Sequence, residues 1–445
     1  MFFTAGRLTS SAHICKCASA YFLRIPVALL LVSGAYGQTT LRADDPIEPL
    51  VAKLSSENWQ ERQAAQERLV LLGLEAKDRL ARLLKETTDP ELRSLAETAL
   101  AEIEQNRATG ASIITIRDEH ITLKDLFARL SEQCDAALEP APASLFEQNR
   151  TATFAIDIDH EPFWSAMKQV TAKTGLSLSL RGGPGREARI VGGQPAANWP
   201  TVVSGPYQVT ATRVSRTRSI DLGGIIDAQA QFVVQMTVTA EPKLRVVRAA
   251  GAAKLDAAVD ENGASLVPGA STTQYGYYSS IGNTWQVSGP LADAPNLGRR
   301  IATLRGSVDA VICTDFERLE IPNILEARNL TRAIGDVRLT VVEASKKGEQ
   351  YELRVRAEMT PATASDWSQV PMQEITLVDA DGTPLPRRGY NASARNNVYE
   401  ATLQFSRDRA NPDKAPGEPA KLVWDFPTRT KPMSIPFEFK DLPIP

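Results

Sequence analysis

Two nine-residue stretches, 119 positions apart, constrain this chain most. Phe232, Val234, Met236, Val238 and Ala240 alternate with polar residues, and Tyr351, Leu353, Val355, Ala357 and Met359 do the same. A period of two sends neighbouring side chains to opposite faces of a strand, so each stretch predicts a β-strand with one buried face. The same offset carries Val259 onto Val378, Asp260 onto Asp379, Gly263 onto Gly382 and Leu266 onto Leu385. Asn262-Gly263 and Asp381-Gly382 are both hairpin signals, because these residues tolerate positive φ. Leu304 to Pro322 parallels Leu422 to Pro436 at slightly shorter spacing. Short strands separated by turn residues predict two similar all-β sandwiches built on one template, at 201–325 and 331–445. A small barrel is the competing closure. Phe437-Glu438-Phe439 reads as an edge strand that ties down the tail, with the nearby prolines limiting further pairing.

The chain before these repeats has a different period. Ile47, Leu50, Val51 and Leu54 lie on one face of a helix, and Ala65, Leu69 and Leu72 continue inward on a second that ends at Gly73. Leu80 and Leu84 echo Leu50 and Leu54. Arg93, Ala96, Leu100 and Ile103 follow Arg62, Ala65, Leu69 and Leu72 by 31 residues each. Asp89-Pro90 opens the fourth helix, with Asp as the cap and Pro at the first turn. A helix pair recurring at this period marks an α-solenoid. Residues 44–106 resemble HEAT-like repeats, and Asp89-Pro90-Glu91-Leu92-Arg93 carries their D-P-x-hydrophobic-R pattern. The resemblance implies a scaffold for protein contacts, here cut to two copies.

Residues 112–182 switch to strand–helix–strand, again duplicated. Ile114 and Ile116 share a strand face; Thr122 and Asp125 form a capping-box-like start to a helix striped by Leu123, Leu126, Phe127 and Leu130. Phe154, Ile156 and Ile158 repeat the strand, and Pro162 opens a helix that buries Phe163, Met167 and Val170 and ends at Gly175. Leu176, Leu178 and Leu180 alternate in a last strand. The halves echo at a spacing of 40, with His120 and His160 in matching places. This small α+β unit resembles the secretin and TonB short N-terminal (STN) domain, through Ala155-Ile156-Asp157-Ile158, Pro162-Phe163-Trp164 and Lys173-Thr174-Gly175-Leu176. The chain has no pore or barrel segment, so the resemblance implies a periplasmic interaction module rather than transport. Residues 183–200, glycine-rich at the start, are expected to be a linker.

Export is predicted from the first residues. Arg7, Lys16 and Arg24 precede the apolar run Ile25–Val32, and Ala35-Tyr36-Gly37 offers a small-residue exit, so 1–37 reads as a cleaved signal peptide. The apolar run is shorter than the ~20 residues a span needs, and no later segment qualifies. A periplasmic or secreted protein without a transmembrane span after cleavage is therefore expected. The net charge of −3, with both signs mixed along the chain, excludes a nucleic-acid footprint. Beyond the signal only Cys134 and Cys313 remain, expected to be separate buried small hydrophobes.

Little in the sequence points to chemistry. Only His120 and His160 follow the signal, no G-x-S-x-G elbow is present, and no metal or cofactor is expected. Asp379-Ala380-Asp381-Gly382 lacks the spaced acids of a calcium loop and suffices as a hairpin turn. A hydrolase built on distant carboxylates is the residual catalytic option. The aromatic cluster Tyr275, Tyr277, Tyr278 and Trp285 is the candidate ligand surface, since such rings suit sugars or peptides. The module order resembles that of exported bacterial multidomain proteins. The expected function is non-catalytic: protein interaction or scaffolding in the bacterial cell envelope, with envelope proteins as partners. The alternative is glycan or cell-wall binding through the four aromatics.

Overall fold

The computed structural model describes residues 47–180, 188–192, 199–219, 229–269, 277–278, 282–293, 296–359, 372–395, 398–407 and 416–445. The segment read as a signal peptide lies outside them. No helix among the described residues is long and apolar enough to cross a membrane. The chain is multidomain and mostly β, with seven α-helices among the described residues.

Four helices come first: α1 (Ile47–Lys53), α2 (Trp59–Leu72), α3 (Leu74–Glu86) and α4 (Pro90–Thr109). Two turn contacts recur among them at the 31-residue offset of the sequence. The Asn58 side chain caps α2 and the Asp89 side chain caps α4. Arg62 donates to the Ser56 carbonyl at 2.7 Å, and its counterpart Arg93 donates to the Thr87 carbonyl at 3.0 Å. Each arginine thus closes the turn leading into its own helix. Leu54, Leu69, Leu80 and Ile103 fill the shared core.

The next unit contains β1 (Ile113–Thr122), α5 (Leu123–Gln133), β2 (Leu138–Ala141), α6 (Leu145–Gln148), β3 (Thr153–Pro162), α7 (Phe163–Thr174), β4 (Leu176–Leu180) and β5 (Ala188–Gly192). Strands β1 and β3 begin 40 residues apart and pair antiparallel, Arg117 opposite Asp157, so the duplicated halves meet across a pseudo-two-fold axis. Strand β5 pairs with β4 on one side and β2 on the other. It corrects the expected linker at 183–200: Ala188 and Ile190 are buried in this unit's core. Alternation over so few residues, bounded by glycines, carries too little signal against a loop composition.

The rest of the chain is β6 (Thr201–Ser204), β7 (Tyr207–Ser219), β8 (Gln229–Ala240), β9 (Arg245–Ala250), β10 (Lys254–Asp260), β11 (Tyr277–Tyr278), β12 (Thr284–Leu291), β13 (Arg300–Pro322), β14 (Arg328–Ile334), β15 (Val337–Lys347), β16 (Gln350–Met359), β17 (Thr376–Val378), β18 (Arg387–Arg395), β19 (Val398–Ser406) and β20 (Lys421–Pro443). One sheet runs β12-β8-β7-β6 and another β14-β15-β16-β19-β18. Both stack on a third, β11-β9-β13-β20-β17, with β10 also on β13. Two cores result, compatible with two β-sandwiches.

The duplication is legible atom by atom. Asp260 Oδ1 accepts from the backbone N–H of Asn262 and Ala264, and its Oδ2 from Gly298. Asp379 accepts in the same way from Asp381, Thr383 and Gly417, each 119 residues on. These bonds hold both carboxyls below the usual carboxylate range against the opposing effect of burial. Gly263 and Gly382 take φ of +85° and +83°, the conformation their turns require.

The boundary expected at 325/331 is corrected in one respect. Strands β13 and β20 are each 23 residues long and pair along their whole length, from Arg300 opposite Pro443 to Pro322 opposite Lys421. Ile301 to Ile312 of β13 lie in the first core, while Ile321 lies in the second. Leu422 and Trp424 of β20 lie in the second core, whereas Ile435, Phe437, Phe439 and Leu442 lie in the first. Each repeat's last strand therefore continues into the other repeat's sheet. Between the cores, register shifts at Cys313–Phe316 mark an exposed waist. There Arg318 and Arg245 both bind Asp425, at 2.7 and 3.2 Å, and Arg245 lies over the Phe316 ring.

Phe437→Ala is expected to cost about 3 kcal/mol, the usual penalty for emptying an aromatic core site. Hydrogen exchange should accelerate in Val308–Ile312 of the first core, far away in sequence. Faster exchange confined to the second core, at Leu339–Val355, would contradict the exchanged-strand arrangement.

Candidate functional site

The aromatic cluster does not assemble as expected. Tyr275 lies outside the described residues. Tyr277 and Tyr278 form β11, paired with Ala250 and Ala249 of β9. Trp285 is corrected from a ligand-facing residue to a core residue: only 8% exposed, it faces inward from β12 and meets the Tyr207 ring edge-on, centroids 6.5 Å apart. Strand periodicity gives the reason. Trp285, Val287 and Gly289 share the buried phase of β12, and the alternation continues to Leu291. A serine- and glycine-rich context upstream made this end of the strand look like a loop.

The two histidines sit at irregularities of the β1·β3 pairing. The His160 backbone N–H donates to Thr115 Oγ1 at 3.2 Å, and its ring Nδ1 lies 2.8 Å from Asp159 Oδ1. The His120 N–H is held by Asp118. No group of three or more His, Cys, Asp or Glu side chains with metal-binding geometry occurs among the described residues. Cys134 is buried, and burial pushes its thiol up to about 12, so it is unreactive at neutral pH. Cys313 is only half-buried, differing from expectation, and its thiol reaches the Asp315 carbonyl at 3.0 Å.

The polar group held by the most bonds at a module junction among the described residues is Glu241, just after β8, which no sequence motif marks. Its side chain is fully buried. The carboxylate accepts from the Ser112 backbone N–H at 3.1 Å and from the Ser112 hydroxyl at 2.7 Å. Lys243 Nζ lies 3.9 Å away and donates to the Arg107 carbonyl at the end of α4. Glu241 also holds the sandwich side of this joint. Its N–H donates to the Pro206 carbonyl, which accepts from Trp164 of α7 as well, and its own carbonyl accepts from Asn283. The α+β unit and the first sandwich thus meet on one acid, and Lys243 beside it ties in the end of α4. Burial pushes the Glu241 carboxyl up to about 7, outweighing the opposing pull of Lys243 and the Ser112 donors. Beside it, the Tyr207 hydroxyl and the Trp285 indole N–H have no hydrogen-bond partner among the described residues.

A second polar feature lies on the outer face of the five-stranded sheet. Two adjoining depressions, each about 540 Å³, share Arg354, Asn391 and Thr402 on their floors. Glu358 is paired with Arg356 at 2.9 Å and with Arg338 at 3.8 Å. Arg354 makes no ion pair or hydrogen bond among the described residues. With Arg354 and Arg356 offset by Glu352, Glu358 and Glu400 along its lining, this open trough suits polar groups.

No known protein family, curated protein or solved structure matches this chain.

Because the Glu241 carboxyl is raised in the fold from 4.5 to about 7, its contribution to stability is full below pH 4.5 and is lost as pH rises through 7. The difference between wild type and Glu241→Gln should therefore change between pH 5 and pH 8 by up to about 3 kcal/mol, in the direction that favours the variant at pH 8. Urea unfolding at the two pH values measures it. A pH-independent difference would remove Glu241 as the titrating group.

Proposed function

We propose that this chain is a non-catalytic interaction or scaffold protein of the bacterial cell envelope, working in the periplasm or outside the cell. The observation that carries this reading is the fixed geometry of its modules. The Glu241 joint binds the helices and the α+β unit to the first sandwich, and the β13·β20 pair joins the two sandwiches. A rigid series of surfaces is what a scaffold needs, whereas an enzyme that closes over substrate needs a hinge. The HEAT-like and STN-like resemblances point the same way, since both imply surfaces for protein contacts. Glycan binding through Tyr275, Tyr277, Tyr278 and Trp285 gains no support, because the indole lies in the core.

Affinity capture with the exported chain from envelope extracts tests the reading. One or a few envelope proteins should be recovered in near-stoichiometric amounts and survive a salt wash. Recovery of nothing above background, with the bait monomeric, would refute it.

A further inference from the structure

Strand β18 ends the order β14-β15-β16-β19-β18, so among the described residues only one of its edges is paired. From Gly389 to Arg395 it runs in unbroken register with β19, Gly389 opposite Gln404 and Arg395 opposite Val398. Its other edge has no strand beside it, and no side chain from Asn391 to Arg395 bonds elsewhere among the described residues. Asn391 to Arg395 are exposed on both faces of the sheet, and Tyr390 is 37% exposed. Free edges are usually blunted by proline, lysine, a bulge or short length. Strand β18 has one bulge, at its start, and neither proline nor lysine within its nine residues.

Its charge is one-sided. The sequence Arg387-Arg388-Gly389-Tyr390-Asn391-Ala392-Ser393-Ala394-Arg395 holds three arginines and no acid. The acids of the adjoining face are matched within the sheet. Glu352 pairs with Lys347, Glu358 with Arg338 and Arg356, and Glu400 lies opposite Arg356 in the register. Arg354 in the trough lies opposite Glu343 in the register, so among the described residues Arg395 on the edge is left as the unmatched cation of this face.

We propose that β18 is a docking edge on which an extended acidic segment of a partner protein adds as a further strand. Its backbone pairs with the free edge from Gly389 to Arg395, as in β-strand addition. Alternate side chains of the incoming strand fall on opposite faces. Those on the outer face are a carboxylate that meets Arg395 and polar groups that meet Asn391 and Ser393. Those on the other face are apolar and cover Tyr390, Ala392 and Ala394. A second copy of this chain fits less well, because two such edges bring like charges together. The inference deepens the scaffold reading by giving one contact its chemistry. Failure of the edge leaves capture of envelope proteins through other surfaces untouched.

The test uses the full exported chain and two peptides as long as β18, one alternating valine with glutamate and one alternating valine with lysine. Binding is read by fluorescence anisotropy, and its place by amide exchange. The glutamate peptide should bind and slow exchange in Gly389–Arg395 by roughly tenfold or more, and the lysine peptide should do neither. Arg395→Glu, an exposed change, should weaken the glutamate peptide by roughly tenfold. Equal binding of both peptides, no binding, or protection outside β18 would overturn the proposal. So would a concentration-dependent dimer with β18 protected before peptide is added, which would assign the edge to a second copy.

Discussion

The pairing of β13 with β20 is the interaction on which the rest depends. A sandwich core needs both of its sheets, and in each core one of those sheets is completed by a strand from the other repeat. The first core holds Phe437 and Phe439 from the end of the chain, and the second holds Ile321 from its middle. The register places a pseudo-two-fold axis at the waist near Ile312 and Lys431, and two tandem copies exchange their last strands about it. This is the geometry of a domain-swapped dimer made within one chain. Its consequence is cooperative: neither core is complete without residues that also belong to the other's strand.

The N-terminal modules join this pair through chemistry of a different kind. The contact around Glu241 is polar and buried, and four directional bonds fix the residue: two from Ser112, one to the Pro206 carbonyl shared with Trp164, and one from Asn283. Apolar contact alone would permit sliding between modules. A buried acid with defined donors specifies one arrangement and makes others costly, because each would strand an unpaired carboxylate. The same burial that specifies the joint raises the carboxyl toward neutrality, so specificity and pH sensitivity share one cause.

Much of the fold was legible in the sequence. The 119-residue echo recurs in the carboxylate cages of Asp260 and Asp379, and the caps at Asn58 and Asp89 lie 31 residues apart. Echoes report local patterns, which neighbouring residues create. What the echoes could not report was which core each half of a long strand enters. Alternation at Ile435, Phe437 and Phe439 states that one face is buried and is silent about the partner. Strand β5 was hidden by flanking glycines. Trp285 was taken for surface because composition outweighed its place in the alternation. Glu241 carried no signal, since an acid beside a proline after a strand reads as an ordinary turn.

The central claim, that two repeats form one cooperative body through exchanged strands, has built-in probes. Trp285 lies in the first core and Trp424 in the second. Two variants, each keeping one of these as the sole tryptophan, would be unfolded in urea with and without Leu353→Ala, a buried truncation in the second core alone. The exchanged-strand account predicts coincident transitions that shift together, so that Trp285 reports damage done in the other core. A shift confined to Trp424, with the Trp285 transition unmoved, would contradict it.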